Sequence, residues 1–338
     1  LYSPEELKEV MTRPHTTLCA IIEKLEGDLM LLGAAGKMGV SLAVLAKRAV
    51  DEIGTNKRVV CISRFSDSHA RQTLDAAGIE TIAGDLLDDT VLQNLPDIDN
   101  IIYMAGMKFG TTGNAAATWA INSFLPGLVA RRFRHSRIVL FATGNVDPRV
   151  RTDSGGCTEA EPPAPIGEYA QSAFGRERIF EYFSRKNDTP SVIFRLNYAV
   201  DLRYGVLLDI AQKVYSGQPV NVQTGFVNLI WQGDANAIAL RCLQQAQSPP
   251  FVLNVTGQQT HSVRELAHRF GEIFDKKPRF EGKEADTAFL SNASLCHRLY
   301  GEPAVSIAQM IRWVAHWVEI GGPVLGKPTH FEVRSGDF

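Results

Sequence analysis

Leu29-Met30-Leu31-Leu32 runs directly into Gly33-Ala34-Ala35-Gly36-Lys37-Met38-Gly39. A short apolar run that ends at a glycine turn is typical of a buried parallel strand, and the chain continues beyond the turn with helical periodicity. Glycines let the backbone turn sharply and approach a pyrophosphate, while the N–H groups and dipole of the following helix attract the anion. The GxxGxxG spacing in this strand–helix context therefore predicts a dinucleotide-binding turn formed by Gly33, Gly36, Lys37, Met38 and Gly39.

Helix and strand signals alternate outward from this turn. We predict helices over 37–54, 68–77, 115–133 and 167–185, and strands over 58–62, 79–83, 99–104, 137–141 and 191–195. Such alternation is typical of an α/β fold with a Rossmann-type, doubly wound parallel sheet. We expect this sheet to be followed by a smaller C-terminal substrate lobe.

Four regions follow from the pattern. Residues 1–28 are predicted to form an N-terminal helical extension, which opens with the capping box Ser3-Pro4-Glu5-Glu6. Residues 29–196 form the dinucleotide-binding domain, 197–320 the substrate lobe with elements that return to the sheet, and 321–338 a tail expected to lie along the surface. Within the lobe we predict helices over 205–216, 232–246, 261–275, 289–299 and 306–320, and strand-like pieces over 219–222, 226–230 and 251–255.

Composition and charge are those of an ordinary globular chain. The 338 residues are 45% hydrophobic and 21% charged, with a formal net charge of −2. This balance gives no general electrostatic reason to bind nucleic acid or an anionic membrane. The N-terminus does not resemble a signal peptide, and no apolar run approaches the ~20 residues that span a bilayer. We therefore expect a soluble, cytoplasmic protein with neither kind of partner.

The cysteines and histidines form no metal-binding pattern. The five cysteines are scattered without a CxxC pair, and the eight histidines show neither HxxxH nor HExxH spacing. Scattered cysteines of this kind are typical of reduced thiols, and we expect no metal site.

The end of the second predicted strand, Ser63-Arg64, bears on the choice of dinucleotide. An NAD site usually carries an acidic residue there for the ribose 2′-hydroxyl, whereas an NADP site has an arginine nearby for the 2′-phosphate. Residues 61–65 contain no acid. We expect NADP held by Ser63 and Arg64, with NAD as the alternative if Arg64 stacks on adenine or faces solvent.

Several further segments, in order, resemble the extended short-chain dehydrogenase/reductase superfamily, in particular its sugar-nucleotide epimerase/dehydratase branch. Gly84-Asp85-Leu86 is similar to an adenine-contacting segment, and Ile102-Tyr103-Met104-Ala105-Gly106-Met107-Lys108 to the family's fourth strand. The resemblance, which covers about residues 29–320, implies cofactor contacts from Asp85, Leu86, Ala105, Gly106 and Lys108.

The catalytic segments resemble the same family. Asn122 matches a helix asparagine, Thr143 ends the fifth strand where a catalytic Ser or Thr is placed, and Tyr169 stands at the catalytic tyrosine. Arg195-Leu196-Asn197 and the segment 227–234 are similar to substrate-lobe landmarks. The resemblance implies catalysis by Tyr169, Thr143 and Lys108.

Substrate contacts are expected from Asn197, Arg203, Tyr204 and Trp231. Arg203 and Tyr204 suit an anionic substrate group, although Arg203 is equally explained as a solvated charge at a helix start. Trp231 fits either a core or a stacking role. The Gly- and Pro-rich segment 143–165 also carries Arg149 and Arg151, which as loop arginines are more often solvated than functional.

One departure from the family is chemically important. The family motif is YxxxK, and in Tyr169-Ala170-Gln171-Ser172-Ala173 the lysine is replaced by Ala173. An unassisted tyrosine has a pKa near 10, so it is a poor base at pH 7 unless another cation stabilises its phenolate. Arg176, Lys108 and an oxidised nicotinamide are the candidates, and Lys108 is preferred. We also expect position 173 to face the cofactor cleft with room for a lysine.

The leading hypothesis is an NAD(P)-dependent epimerase/dehydratase-like enzyme that transfers a hydride to or from a sugar or sugar nucleotide. Alternatives are a catalytically impaired dinucleotide-binding sensor or partner protein, and a lyase or isomerase with altered acid–base groups. We also expect a homodimer. Its predicted seam consists of apolar residues on the two long helices: Trp119, Ile121, Leu125, Leu128, Val129, Phe174 and Phe180. Burial in the core explains most of these residues equally well.

Overall fold

The apolar run at residues 29–32 forms the middle of a seven-stranded sheet. The structure is a computed structural model that describes residues 1, 3–108, 110–111, 113–327 and 329–336. Its strands are β1 (Leu29–Leu32), β2 (Val59–Ser63), β3 (Glu80–Ala83), β4 (Asn100–Tyr103), β5 (Arg137–Thr143), β6 (Val150–Arg151), β7 (Ser191–Leu196), β8 (Ala199–Val200), β9 (Pro219–Asn221), β10 (Phe226–Val227), β11 (Ile230–Trp231), β12 (Phe251–Val255), β13 (His261–Ser262), β14 (Arg279–Glu281) and β15 (Thr287–Ala288).

Every neighbouring pair in the central sheet is parallel. The order is β12-β7-β5-β4-β1-β2-β3, and β1 is buried along its whole length. Side chains of a strand alternate between the two faces of the sheet, so a strand that is apolar throughout requires a covering layer on each face. The predicted doubly wound α/β fold is therefore confirmed. All seven carboxyl ends lie at one edge, where a site can form.

Helices supply both covering layers. They are α1 (Pro4–Thr12), α2 (Thr16–Lys24), α3 (Gly39–Glu52), α4 (Ser68–Ala76), α5 (Asp89–Gln93), α6 (Ala115–Trp119), α7 (Leu125–Arg132), α8 (Gly167–Asn187), α9 (Val206–Tyr215), α10 (Gln232–Arg241), α11 (Val263–Phe274), α12 (Ser294–Tyr300) and α13 (Ile307–Glu319). α3 and α10 bury one face of the sheet, whereas α7 and α8 bury the other. No helix in the described ranges is long and apolar enough to cross a membrane.

The helix predicted over 115–133 is present over 115–132 and contains a π-helical turn. A π-helical turn, Ala120–Phe124, separates α6 from α7. Asn122 lies in this turn and uses its side-chain amide on the backbone of Met107, accepting from the nitrogen at 2.8 Å and donating to the oxygen at 2.9 Å. A π turn contains one more residue than an α turn. The extra residue changes the direction in which a side chain such as Asn122 points from the helix.

The helix predicted over 289–299 begins only at Ser294. Upstream of the predicted helix, Thr287 and Ala288 form β15, which pairs with β6 of the Gly- and Pro-rich loop. The backbone nitrogen of Cys157 also donates to the oxygen of Leu290 at 2.7 Å. These contacts attach the loop after β5 to the C-terminal half.

The C-terminal tail does not simply lie along the surface, so that prediction is wrong. Phe331 is 5% exposed and belongs to the apolar core formed by α9, α11 and α13. Thr329 donates from its nitrogen and its hydroxyl to Asp209 on α9, at 2.9 and 2.6 Å. An aperiodic segment gives no sequence signal for such anchoring.

Part of the predicted dimer seam is instead core. Leu125, Val129 and Phe180 are buried against the sheet. Their apolar character is explained by packing within one chain. Trp119, at 39% exposure, remains accessible.

Candidate functional site

The glycine turn after β1 forms a cradle into which side chains would not fit. Gly33 has φ +89°, and a Cβ added there would lie 2.6 Å from the backbone nitrogen of Ala105. A Cβ at Gly39 would lie 2.3 Å from the oxygen of Ala34, whereas Gly36 is exposed. The turn therefore packs tightly against the chain after β4 on one side and remains open at Gly36, just before helix α3 begins at Gly39. This arrangement fits the pyrophosphate of a dinucleotide.

An arginine, Arg64, follows the end of β2. Arg64 is exposed, and among the described residues it has no hydrogen-bond or ion-pair partner. Ser63 beside it is half-buried. Of the other predicted adenine-side residues, Leu86 packs in the core, and Asp85 accepts from the nitrogen of Leu87 at 3.0 Å. Arg64 is thus the residue with free donors at this end of the cleft.

Tyr169 and Thr143 meet where β5 ends and α8 begins. Their side chains are hydrogen-bonded, and Thr143 also accepts from the nitrogen of Asn145 at 3.2 Å. Burial raises the pKa of Tyr169, while the positive charge of Arg176 and the hydrogen bond with Thr143 lower it. A hydroxyl pair with a nearby cation is the arrangement expected for proton transfer at a substrate oxygen.

Arg176 is the cation beneath this pair. Its guanidinium donates to the carbonyl of Phe141 at 2.9 Å and to the side-chain oxygen of Asn122 at 2.7 Å. A Cβ added at Gly106 would lie 2.7 Å from the same guanidinium, so this glycine gives it access to the end of β4. Arg176 is 7% exposed, and its partners are neutral oxygens. Its positive charge therefore acts on its surroundings without a paired carboxylate.

Ala173 does not face an open cleft. The residue is fully buried, with 0% exposure. The expectation of room for a lysine at this position is therefore wrong. Arg176, one helical turn further along α8, already brings a positive charge to the same region.

A buried ion cluster fixes α8 relative to the strands. Arg195 on β7 pairs with Glu177 on α8 at 2.8 Å and with Asp147 after β5 at 3.0 Å, and all three are buried. Burial raises the pKa of Asp147 to about 7. Removing one partner would leave an uncompensated buried charge, so this cluster holds the loop after Thr143 and the helix of Tyr169 together.

Two lysines lie on the other side of the cleft. Lys37 donates to the carbonyl of Ala199 at 3.2 Å and lies 3.6 Å from the centroid of the Tyr204 ring. Burial, followed by the neighbouring charge of Lys108, lowers the pKa of Lys37 to about 7. Burial lowers the pKa of Lys108 to about 8, opposed in part by Asp209. Through the Lys37 side chain, the glycine turn thus contacts Ala199 and Tyr204, in the chain that follows β7.

The structure brings only some of the predicted substrate residues to this cleft. Tyr204 lies near Lys37 and Tyr169. Burial is the largest cause that raises the pKa of its phenol, and the neighbouring Asp209 and Tyr169 raise it further. Arg203 is paired with Asp201 at 2.6 Å. Asn197 is buried and donates to the side-chain oxygen of Asn228 at 3.0 Å, which is a packing role.

Trp231 does not reach the cleft. It is 1% exposed and packs edge-on against Trp313, with ring centroids 5.4 Å apart. The core role considered for it is therefore the one the structure supports.

Tyr198 and Arg149 were not predicted as site residues. Tyr198 has φ +43°, a conformation that non-glycine residues adopt mainly where the surroundings impose it. Arg149 lies near Tyr198 and alters its pKa, which burial raises. Neither feature has a signal in the sequence, because each depends on how the loop after β5 and the chain after β7 approach one another.

Metal ligands are not gathered in the described residues, where no group of three or more His, Cys, Asp or Glu is placed to hold an ion. The five cysteines are all free and buried. Cys157 lies in the loop after β5 with 0% exposure, and burial raises its pKa. The thiolate nucleophile is thus disfavoured there.

Comparison with known proteins agrees with this geometry. A model of the NAD dependent epimerase/dehydratase family matches residues 29–223. No curated protein is found to match the sequence.

Solved structures share the fold at low sequence identity. A UDP-glucose 4-epimerase from Thermotoga maritima, solved with UDP-glucose, superposes with a TM-score of 0.70 at 15% identity, covering 87% of this chain and 99% of that one. A dTDP-glucose 4,6-dehydratase from Streptomyces venezuelae, solved with NAD, gives 0.73 at 17% identity, covering 86% and 97%. A UDP-glucuronic acid 4-epimerase from Bacillus cereus with NAD gives 0.71 at 17%, covering 86% and 96%.

Proposed function

The chain belongs to the NAD dependent epimerase/dehydratase family, and from this we propose that it is an NAD(P)-dependent enzyme acting on a sugar or sugar derivative. The observation that carries the proposal is the Tyr169–Thr143 pair with Arg176 beside it, at the same sheet edge as the glycine cradle. A binding protein without catalysis has no need of a buried cation next to a tyrosine–threonine pair.

The dinucleotide would be held by the glycine turn, with Ser63 and Arg64 at the adenine end. When bound, it supplies a nicotinamide ring that accepts or returns a hydride. Thr143 orients the reacting hydroxyl of the sugar, and Tyr169 takes up its proton as the carbon is oxidised. Arg176 stabilises the phenolate, replacing the charge that the lysine of YxxxK provides in the family. Epimerisation, dehydration and simple oxidation share this step.

Lys108 and Lys37 are assigned to binding. Lys108 remains our predicted contact for cofactor and substrate, and its lowered pKa reflects burial beside Lys37. Lys108 is not among the groups that lower the pKa of Tyr169, whereas Arg176 is. We therefore transfer the role of activating cation from Lys108 to Arg176.

The test has two stages. Calorimetry with NAD and NADP should show saturable binding, abolished by Gly36→Asp because the carboxylate would occupy the open side of the phosphate turn. Turnover is then followed by absorbance of the reduced nicotinamide over a panel of sugars, sugar acids and sugar nucleotides. Tyr169→Phe should lower turnover about a hundredfold or more.

The alternative proposal is a dinucleotide-binding sensor or partner protein, favoured by the loss of the family lysine at Ala173. It takes the lead if a dinucleotide binds but no sugar or sugar nucleotide is turned over. Full activity in Tyr169→Phe would instead show that the tyrosine is structural and that the family mechanism does not operate here. Absence of binding to either dinucleotide would contradict both proposals.

We also propose a homodimer through the layer of α6, the π turn and α8. Phe124 is 61% exposed, Tyr182 58% and Trp119 39%. Neighbouring large apolar side chains that remain exposed on one layer favour a protein interface.

A further inference from the structure

Two arginines from distant parts of the chain meet beside the cleft. Arg149 lies in the loop after β5, and Arg334 lies in the C-terminal tail. The guanidinium of Arg149 donates to the backbone carbonyl of Arg334. Neither arginine forms an ion pair with a carboxylate in the described part of the chain. Two neighbouring positive charges are thus left without a counter-charge.

The Arg149 side chain is held in place and retains an unused donor. Its guanidinium lies 4.6 Å from the centroid of the Phe289 ring. Its Nε is buried and has no hydrogen-bond partner among the described residues. Burial, and then the charge of Arg334, lower the pKa of Arg149. A buried donor without an acceptor is unfavourable, and a bound anion would satisfy it.

Arg334 is also held by neutral acceptors. It donates to the backbone oxygen of Thr287 at 2.7 Å and to the side-chain oxygen of the same residue at 2.8 Å. A guanidinium has more donors than these two bonds use, and their fork geometry matches carboxylates and phosphates. Thr287 belongs to β15, so the tail and the loop of Arg149 are attached to the same small strand pair.

Both arginines lie in segments that adjoin the catalytic pair, since Arg149 is in the loop that follows Thr143 and Arg334 is in the tail that contacts the start of α8. Arg149 lowers the raised pKa of Tyr198, and Tyr198 and Tyr169 both act on Tyr204. The tail also reaches the start of α8, since a Cβ added at Gly336 would lie 2.4 Å from the oxygen of Ile166. The arginine pair therefore borders the cleft that contains Tyr169.

Carboxylates are also present near Tyr198. Glu332 acts on Tyr198 and on Asp209, and raises the pKa of both. Asp209 already accepts two hydrogen bonds from Thr329. An anion is therefore favoured at Arg149 and Arg334, which bond only neutral oxygens in the described residues, rather than beside Glu332 and Asp209.

We propose that Arg149 and Arg334 form a subsite for an anionic group of the substrate, a carboxylate or a phosphate. The proposal rests on the proposed function, because it names the class of sugar that the cleft accepts. Sugar acids or sugar phosphates are then preferred over neutral sugars, and the C-terminal tail is part of the substrate site.

Binding calorimetry on the full chain, saturated with whichever dinucleotide it binds, tests this without requiring turnover. Glucuronate is the carboxylate probe, glucose 1-phosphate the phosphate probe and glucose the neutral reference. At least one anionic probe should bind roughly tenfold or more tightly than glucose, and R149M and R334M should each remove that preference. The anionic probe that binds more tightly identifies the group.

The matched control is R151M, because Arg151 lies in the same loop but is exposed and paired with Asp153 at 2.8 Å. R149K keeps the positive charge but loses the forked set of N–H donors of the guanidinium, so it should retain part of the preference. That result would show that the effect of R149M is not a folding defect.

Equal binding of all three sugars, or no binding of any, would overturn the subsite. So would a preference that persists in folded R149M, which would mean that Arg149 only secures the tail. Failure of the proposed function is recognised separately, by absent dinucleotide binding or by full turnover in Tyr169→Phe.

Discussion

Arg176 determines how the activity of Tyr169 should depend on pH. The phenol acts as a base only when deprotonated, so activity falls as the pH drops below its pKa. Arg176 lowers that pKa. Arg176→Met should therefore raise it and shift the acid limb of the kcat profile upward by about one pH unit or more.

The controls for this prediction lie on the same helix. Arg176→Lys keeps a positive charge and should shift the limb less. Arg178→Met removes an exposed arginine that pairs with Glu181 at 2.6 Å, and should leave the profile unchanged. If folded Arg176→Met shows no shift in the acid limb of the kcat profile, another cation must activate Tyr169. Arg176→Met also leaves the oxygens of Phe141 and Asn122 without this donor, so a stability loss of about 1–3 kcal/mol is expected alongside.

Arg64 should decide between the two dinucleotides. Its guanidinium is exposed and uncommitted in the described structure, at the end of β2. A charged contact to the 2′-phosphate contributes about 1.5–3 kcal/mol, so Arg64→Ala should weaken NADP binding roughly ten- to a hundredfold and NAD binding far less. Calorimetry with both dinucleotides measures this, with Arg71→Ala as an exposed-arginine control. Equal loss for NAD and NADP would show that Arg64 does not read the phosphate.

The residues of the site could be predicted only where they follow a local pattern. The glycine turn is local, and its cradle agrees with the spacing. Tyr169 and Thr143 were placed by resemblance, and they are hydrogen-bonded. The sequence favours Lys108 over Arg176 as the activating cation. The contacts of Arg176 are with residues 106, 122 and 141, and no sequence pattern shows that these residues lie close together in the fold. Arg149 was judged an ordinary loop arginine for the same reason.

Secondary-structure elements show the same division. Strands with apolar runs were predicted within a few residues, since burial on both faces leaves a clear pattern. The π turn at Asn122 was missed because a single bulge hardly alters helical periodicity. β15 was not predicted, because a two-residue pairing with β6 is set by tertiary contact, and the helix that follows begins five residues later than predicted. The aperiodic sequence of the tail predicts a surface segment, although Phe331 is buried.

The tail should hold the first turn of α8, which carries Tyr169. Gly336 has φ +87°, and an added Cβ would lie 2.4 Å from the oxygen of Ile166. Gly336→Ala should therefore push the tail away, increase hydrogen exchange of the amides at 166–170 and lower kcat. Mass-detected exchange on the full chain measures the first effect.

The matched control is Gly155→Ala. Gly155 has φ +80° but nothing within 4 Å of an added Cβ, so this variant carries the same backbone strain without the clash. Strain at positive φ costs about 1 kcal/mol in either variant. If both variants exchange alike at 166–170, the tail does not support α8.

On the scale of the whole molecule, the N-terminal helices join the two halves of the chain. Leu7 and Met11 of α1 pack into the core of α9, α11 and α13. Arg48 on α3 pairs with Glu9 at 2.8 Å and donates to Thr12 at 2.9 Å. Because α3 begins at the glycine turn, α1 fixes the sheet side of the cleft relative to the substrate side.

The exposed apolar layer leads to the last prediction. Phe124 and Tyr182 are more than half exposed on neighbouring elements, the π turn and α8. Burying such side chains against a second copy is favourable by roughly 25 cal/mol per Å² of apolar surface. Sedimentation at micromolar concentration should give twice the monomer mass of 37.2 kDa.

Phe124→Glu should convert this species to the monomer, since a carboxylate would be buried without a partner in the seam. Ile273→Glu is the control, because Ile273 is 43% exposed on α11, outside this layer, and the variant should remain dimeric. α8, which carries Tyr169, belongs to the proposed seam, so the monomeric variant should also show faster hydrogen exchange in α8 than the control. A wild-type mass near 37.2 kDa would exclude the dimer and leave the exposed layer to another partner.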